Sequence, residues 1–162
     1  MSTIKKITAY KTDVQFTANI VNMFSNSINV HIKGMSSECL HINEFLKNGI
    51  PKNTNTIVTL GILRGTGHLL KEAARKNIDR YYIDHAYFEP GYEGDGWLRI
   101  SKNKHIINNI KEVSNFRWEK FFAKKYPIMP WKTFDQRGTN ILIIPPTNAI
   151  CWYFSEYEWE KK

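Results

Sequence analysis

The chain has 162 residues, the length of one domain, and 42% of them are hydrophobic and 14% aromatic. That content excludes a disordered chain and predicts a single domain over residues 1–162. The formal net charge of +8 favours a polyanionic partner, such as nucleic acid, a phosphorylated small molecule or an acidic membrane surface, although solubility alone explains it equally well.

The cysteines and the apolar segments bear on location. Cys39 and Cys151 lie far apart and lack the spacing of metal ligands, so we interpret them as reduced residues in or near a core. The first residues include lysines but no long apolar run of the signal-peptide type, and no segment approaches the roughly 18 apolar residues of a membrane span. We therefore expect a cytoplasmic protein, which includes the cytoplasm of a phage-infected host cell.

The first segment of the chain predicts a strand followed by a helix. Lys6–Tyr10 is short and alternating, as in a strand, and Phe16–Phe24 has apolar residues at helical spacing. Thr12 or Asp13 could cap this helix.

The next segment predicts a second strand and a second helix. In Asn29–Ile32, apolar and polar residues alternate, which indicates a strand. Cys39–Lys47 is predicted to be a helix that ends at Asn48 and Gly49, residues that favour helix termination.

The central stretch predicts a strand, a glycine-rich turn, a helix and another strand. Thr56–Leu60 is short, apolar and β-branched, which suits a buried strand. The turn Gly61–Gly67 follows, then the helix His68–Lys76, which Asn77 can end in a left-handed conformation. With Tyr81–Ile83 as the next strand, the unit predicts a parallel pair joined by a right-handed crossover.

The composition changes after this unit. Glu89–Gly96 has three glycines, one proline and three acidic residues, which predicts a loop long enough to be a mobile flap beside a site. Trp97–Ser101 returns to the alternation of a strand. Further helices are predicted over Lys104–Val113, Trp118–Lys125 and Ala149–Lys162, and a further buried strand over Asn140–Ile144.

These elements together predict a Rossmann-like α/β fold, a three-layer sandwich with a mostly parallel sheet of four to five strands. Ligands of such sheets bind outside the carboxyl ends of the strands. We therefore expect the glycine turn and Asp84-His85, which follow neighbouring strands, to lie along one rim.

Four sequence blocks occur in a specific order: Gly61–Gly67, Tyr82–Phe88, Trp97–Asn103 and Ile141–Pro146. Their arrangement resembles the amino-terminal, acceptor-side half of phage and bacterial glycosyltransferase-like proteins of the GT-B type, over roughly residues 55–162. The resemblance implies two Rossmann-like domains facing across a cleft. The second domain would hold a sugar nucleotide as co-substrate, and the first would hold the acceptor and a catalytic base. This chain has the length of the first domain only, so a second domain is an expected partner, and no permanently bound cofactor is implied.

The glycine turn is a candidate anion site. Unpaired amides and the helix dipole favour an anion at a strand-to-helix junction, and Arg64 could add a bidentate contact to phosphate or carboxylate. The spacing matches neither the dinucleotide fingerprint nor a P-loop. A tight turn in which glycines satisfy a positive φ is the structural alternative. The ligand-binding residues predicted here are Gly61, Arg64, Gly65, Thr66 and Gly67.

Asp84 and His85 are the candidate catalytic residues. A histidine has a pKa suited to deprotonating an acceptor hydroxyl, and a carboxylate could orient it. Because adjacent strand residues point to opposite faces, Asp84 could orient His85 only if the strand had already ended. A buried aspartate that accepts hydrogen bonds from backbone amides, beside a satisfied histidine, is the alternative.

Three further residues flank the acidic loop: Tyr87, Arg99 and Asn103. They could clamp a ligand by stacking and hydrogen bonding, although packing of Tyr87 against Trp97 across strands is an equally good explanation. The histidines lack ligand spacing, so we expect no metal site.

Two features bear on macromolecular partners. Basic residues interleaved with aromatics suit nucleic acid, although an amphipathic helix with a solvated face is the commoner reason for such a composition. These residues are Lys102, Lys104, Lys111, Arg117, Lys120, Lys124 and Lys125, with Phe116, Trp118 and Tyr126. The last predicted helix has more aromatics than one buried stripe needs, so Trp152, Tyr153 and Trp159 could contact a second domain or a second copy.

Two classes of function follow. The first is the acceptor-side domain of a GT-B-like glycosyltransferase, acting on nucleic acid or on a surface glycan in a phage context. The second is a small phage-encoded binding or inhibitor protein without catalysis, whose partner is a nucleotide, a nucleic acid or a host protein.

Overall fold

A computed structural model describes residues 5–86, 89, 96–104, 114–126 and 144–155. The chain divides into two compact units, Met1–Ile106 with Asn148–Lys162, and Ile107–Thr147. Within the described residues, no helix is long and apolar enough to cross a bilayer.

The first unit contains a five-stranded sheet. Its strands are β1 Lys5–Lys11, β2 Met35–His41, β3 Thr56–Leu60, β4 Asp79–His85 and β5 Leu98–Lys102. Their spatial order is β2-β1-β3-β4-β5, in which the first four are parallel and β5 is antiparallel to β4. The predicted α/β class with a mostly parallel, Rossmann-like sheet is confirmed.

Helices of the first unit cover both faces of this sheet. The helices of the first unit are α1 Gln15–His31, α2 Ile42–Asn48, α3 Thr66–Arg75 and α5 Asn148–Phe154, and the second unit contributes α4 Phe116–Phe121. Adjacent residues of β3 belong to different cores: Val58 packs with Val21 of α1, and Ile57 packs with residues of α2 and α3. The alternation of the strand thus produces two apolar layers, one on each side of the sheet.

The central βαβ unit follows its local signals closely. The observed β3 has the predicted bounds, and its parallel pairing with β4 is confirmed. Asn77 has a φ of 54° after α3, and Gly49 has a φ of 73° after α2, so both predicted helix ends are confirmed.

The predicted strand Asn29–Ile32 is wrong, because α1 continues to His31 and the second strand is β2, from Met35 onward. The predicted start of the second helix at Cys39 is wrong for the same reason, since Cys39 belongs to β2. Neither Thr12 nor Asp13 caps α1, whose N-cap is Val14 without a side-chain hydrogen bond.

Tertiary contacts explain why the helix extends through a poor helix-forming sequence. The Asn29 side chain accepts from the Ser37 N–H at 2.6 Å and donates to the Ser37 carbonyl at 2.8 Å. The Ser25 and Ser37 hydroxyls are 2.7 Å apart, and Ile28 is buried against the sheet. These contacts tie α1 to the edge strand β2 and outweigh the low helix propensity of serine and asparagine.

The second unit is described over 114–126 and 144–147. Helix α4 has no buried residue: Phe121 is 42% exposed, and Phe122, which follows the helix, is partly buried. The helix predicted over Lys104–Val113 and the strand predicted over Asn140–Ile144 lie almost entirely outside the described residues.

Candidate functional site

The strand order creates a topological switch point between β1 and β3. The chain leaves β1 toward β2 on one side and leaves β3 toward β4 on the other, so the connections after β1 and β3 lead in opposite directions. In open parallel sheets the ligand crevice lies at such a point. Residues 12–14 form one loop and residues 61–65 form the other. This crevice is the first place to look for a ligand site.

The glycine turn folds back on its own backbone. Gly61 has a φ of 72°, and its N–H donates to the Ile83 carbonyl at 2.9 Å, which holds the turn against the end of β4. The Thr66 N–H donates to the Leu63 carbonyl, and the Gly67 N–H donates to the Ile62 carbonyl, both at 3.2 Å. Two of the first amides of α3 are therefore already used, and an anion at this turn would depend mainly on a side chain.

Arg64 supplies that side chain. It is exposed, its φ of 57° places it in the left-handed region, and the ion pairs of the described residues do not include it. Gly65 follows with a φ of 92° and caps α3. The predicted anion-binding role of the turn stays a prediction, and Arg64 is its best-placed group.

Gly67 has a packing role that the sequence did not reveal. A Cβ at this position would lie 2.7 Å from the Ile62 carbonyl oxygen and 2.8 Å from the Trp152 ring. The absence of a side chain therefore allows α5 to approach α3. Trp152 lies far along the chain, so no local pattern signals this contact.

Trp152 and Tyr153 pack inside the first unit. The Trp152 ring lies 4.4 Å from the His68 ring, centroid to centroid, and Lys71 Nζ lies 4.1 Å above it while donating to the Trp152 carbonyl. Tyr153 packs against the core between α2, α3 and the sheet. Trp159 lies outside the described residues, and an interface through α5 stays a prediction.

Asp84 lies in a polar cluster with Tyr82 and Arg99. Tyr82 Oη donates to its carboxylate at 2.7 Å, and Arg99, directly opposite on β5, donates at 2.9 Å. Burial opposes ionisation, but these hydrogen bonds hold the pKa of Asp84 below its ordinary value. Burial and then the bond to Asp84 raise the pKa of Tyr82.

His85 lies on the other face of β4. Its ring stacks on Phe16 of α1, with centroids 5.6 Å apart and planes inclined by 15°. Asp84 accepts a hydrogen bond from the His85 backbone N–H, and its other partners are Tyr82 and Arg99. The structure thus places His85 at the carboxyl end of β4 with its ring on the α1 side of the sheet, whereas the glycine turn leads into α3 on the other side. It does not place the Asp84 carboxylate behind the imidazole.

The other predicted ligand residues are separated. Arg99 lies at the carboxyl end of β4, beside Asp84, and Tyr87 lies outside the described residues. Asn103 lies at the amino end of β4, where its side chain accepts from the Arg80 N–H and donates to Asp79. There it lines a cavity of about 250 Å³, at the opposite edge of the sheet from the glycine turn.

An aspartate and a histidine that no sequence pattern indicated as site residues are in contact at the edge formed by the carboxyl ends of the strands. His41 Nε2 lies 3.0 Å from the Asp13 carboxylate, while His41 Nδ1 accepts from the Asn43 N–H at 3.2 Å and caps α2. Nδ1 therefore lacks a proton and Nε2–H donates to Asp13. Both ring nitrogens are occupied, so the pair joins the loop after β1 to the end of β2. A correct prediction that β2 ends at His41 would have placed this histidine near the loop that contains Asp13.

Comparison with known proteins gives no assignment. No family model matches the chain, and no curated protein or solved structure matches it significantly. The GT-B resemblance therefore stays a hypothesis. Over the part of the chain that the structure describes, no group of three or more histidine, cysteine, aspartate or glutamate side chains is arranged to hold a metal ion.

Proposed function

We propose that this chain binds a phosphate- or carboxylate-bearing small molecule at the carboxyl edge of its sheet. The observation that carries the proposal is the strand order, because open parallel sheets hold ligands in the crevice at their switch point. The glycine turn follows β3 at this switch point, and its exposed residue Arg64 would supply a guanidinium to the ligand. A guanidinium is suited to bidentate contact with an anion.

A glycosyltransferase-like role is the catalytic form of the same proposal. The sugar nucleotide held by the second domain carries a diphosphate that Arg64 would contact across the cleft. His85, at the end of the strand next to β3, is the candidate base for an acceptor hydroxyl. Asp84 is excluded as its orienting partner, since its carboxylate is engaged by Tyr82 and Arg99 on the other face. The mostly parallel sheet supports this role, because sites of this type occur on such sheets.

The sharpest test is Arg64→Gly, because glycine adopts a φ of 57° without the steric cost that arginine has there. We expect the variant to be at least as stable to urea as the wild type. Its affinity for the ligand should fall about tenfold or more, as expected for loss of a charge-assisted hydrogen bond. The measurement is isothermal titration calorimetry with inorganic phosphate, nucleoside diphosphates and sugar nucleotides.

Arg75→Ala is the matched control, because it removes an exposed guanidinium from the other end of α3. Its affinity should equal that of the wild type. Unchanged affinity in Arg64→Gly, or an equal loss in both variants, would contradict the proposed site.

The catalytic form has its own test. His85→Ala should abolish glycosyl transfer, assayed with a second GT-B domain present, while anion binding persists. Transfer at the wild-type rate would remove His85 as the base and leave the binding proposal intact.

A further inference from the structure

Helix α4 exposes aromatic side chains. It has no buried residue, and Phe116 and Phe121 are 60% and 42% exposed. A helix whose apolar side chains only filled a core would bury a stripe of them. These rings therefore contribute apolar area to the protein surface.

A lysine ammonium lies close to both of these rings. Lys120 Nζ is 5.3 Å from the centroid of the Phe116 ring and 5.2 Å from that of Phe121, so the ammonium is flanked by two exposed aromatic faces. The ring of Trp118, in the same helix, stacks on that of Phe122, the residue after the helix, with centroids 6.0 Å apart. The surface thus combines a positive charge with flat apolar platforms.

The local charge is strongly positive. Residues 114–126 contain four basic residues and one acidic residue, Glu119. Within the described ranges, Arg117, Lys120 and Lys124 form no ion pair, so their charges are not neutralised by the carboxylates of those ranges. The partner that complements this surface is a polyanion.

The placement of the charges discriminates between polyanions. At about 100° per residue, Lys120 and Arg117 project between Phe116 and Phe121 around the helix. Insertion into a lipid surface requires a charged face and an apolar face on opposite sides, and this helix does not separate them. Cations alternating with rings instead match a single nucleic-acid strand, in which phosphates alternate with unpaired bases.

We propose that the α4 surface, formed by Phe116, Arg117, Lys120 and Phe121, binds single-stranded nucleic acid. Lys120 and Arg117 contact phosphates, and the two phenylalanine rings stack on bases. The contact is tolerant of sequence, because every base has a face that stacks. This inference is independent of the anion site at the sheet edge.

The test is fluorescence anisotropy of the full chain with a labelled 15-nucleotide single strand, titrated at several salt concentrations. Lys120→Gln should weaken binding and lower the steepness of the salt dependence by about one, since one phosphate contact is lost. Phe116→Ala and Phe121→Ala should each weaken binding about tenfold with an unchanged salt dependence, since a stacking contact is lost.

The controls are Lys33→Gln, an exposed lysine between α1 and β2, and Phe154→Ala, whose exposure of 42% equals that of Phe121. Both should bind like the wild type. Circular dichroism shows whether each alanine variant is folded. If one is not, Lys120→Glu replaces it and should abolish binding.

Three outcomes would overturn the proposal. In the first, the protein binds a duplex of the same length as tightly as the single strand. In the second, it binds phosphatidylserine vesicles but not the single strand. In the third, the control variants lose as much affinity for the single strand as the α4 variants do. The first would mean contact with phosphates alone, the second a membrane surface, and the third a diffuse effect of net charge.

Discussion

At the scale of single residues, the glycines of the turn have different structural roles. Gly61 and Gly65 are needed for backbone conformations with φ of 72° and 92°. Gly67 lies in α3 and is needed because Trp152 and the Ile62 carbonyl occupy the space of a side chain. One glycine-rich stretch thus serves chain reversal at one end and helix packing at the other.

Gly67→Ala should therefore destabilise the protein, although alanine is the better helix former. The new methyl group would meet a backbone carbonyl at 2.7 Å, which cannot move aside cheaply, so we expect a loss of roughly 1–3 kcal/mol in the free energy of unfolding. Urea denaturation measures it. A gain of up to about 1 kcal/mol, the effect of helix propensity alone, would show that the contact with Trp152 is not tight.

At the scale of elements, α1 protects the edge of the sheet. β2 is an edge strand, and the amide of Asn29 bonds both backbone groups of Ser37, as a neighbouring strand would. Exposed edge strands are sites of unwanted pairing, and side chains that satisfy their backbone groups reduce that risk. The polar second half of α1 is therefore explained by its position over β2.

Asn29→Ala should lower the free energy of unfolding by about 1–2 kcal/mol, since two hydrogen bonds to the β2 backbone are lost at a site that water can reach. Asn26→Ala is the matched control on the exposed side of the same helix, and it should be neutral or slightly stabilising. Equal stability of the two variants in chemical denaturation would contradict this role of the Asn29 hydrogen bonds to Ser37.

At the scale of the whole molecule, the sheet has two polar ends. The carboxyl edge has the glycine turn, the Asp13–His41 pair and the Asp84 cluster. The amino edge has Asn103, which joins Arg80 to Asp79. Arg99 and Asn103 lie near opposite ends of the strands because β5 extends between them, and its antiparallel direction places Arg99 at the carboxyl end of β4.

The stability of the fold should fall on acidification, and Asp84 should account for part of the loss. Its folded pKa is depressed, so its contribution is present above the unfolded pKa of about 3.9 and is lost as the pH falls toward the folded value. At neutral pH, Asp84→Asn should lower the free energy of unfolding by roughly 1–3 kcal/mol. The difference from the wild type should shrink below about pH 4. Urea titrations across this pH range measure it.

Asp79→Asn is the comparison on the same strand. The pair of Asp79 with Lys102 is more exposed, at 43% and 52%, than the pair of Asp84 with Arg99, at 26% and 22%. Asp79→Asn should therefore lower the free energy of unfolding by less than Asp84→Asn does, because solvent screens the charges of the more exposed pair. A pH-independent difference between Asp84→Asn and the wild type would contradict the account.

The sequence by itself determined the elements with strong local signals. A β-branched apolar run bounded by glycine defined β3, helix-stopping residues defined the ends of α2 and α3, and strand–helix alternation defined the parallel α/β class. Those signals lie within a few residues of each other, so they can be read without coordinates. They also placed the glycine turn and His85 along one edge.

Only the tertiary structure decided the rest. The polar strand β2 is a strand because α1 and β1 complete its hydrogen bonds, and Gly67 is required because Trp152 packs on it. The partners of Asp84 depend on which face of β4 it occupies and on the antiparallel approach of β5. In each case the deciding interaction joins residues distant in sequence, and its free energy outweighs the local preference of the segment that it orders.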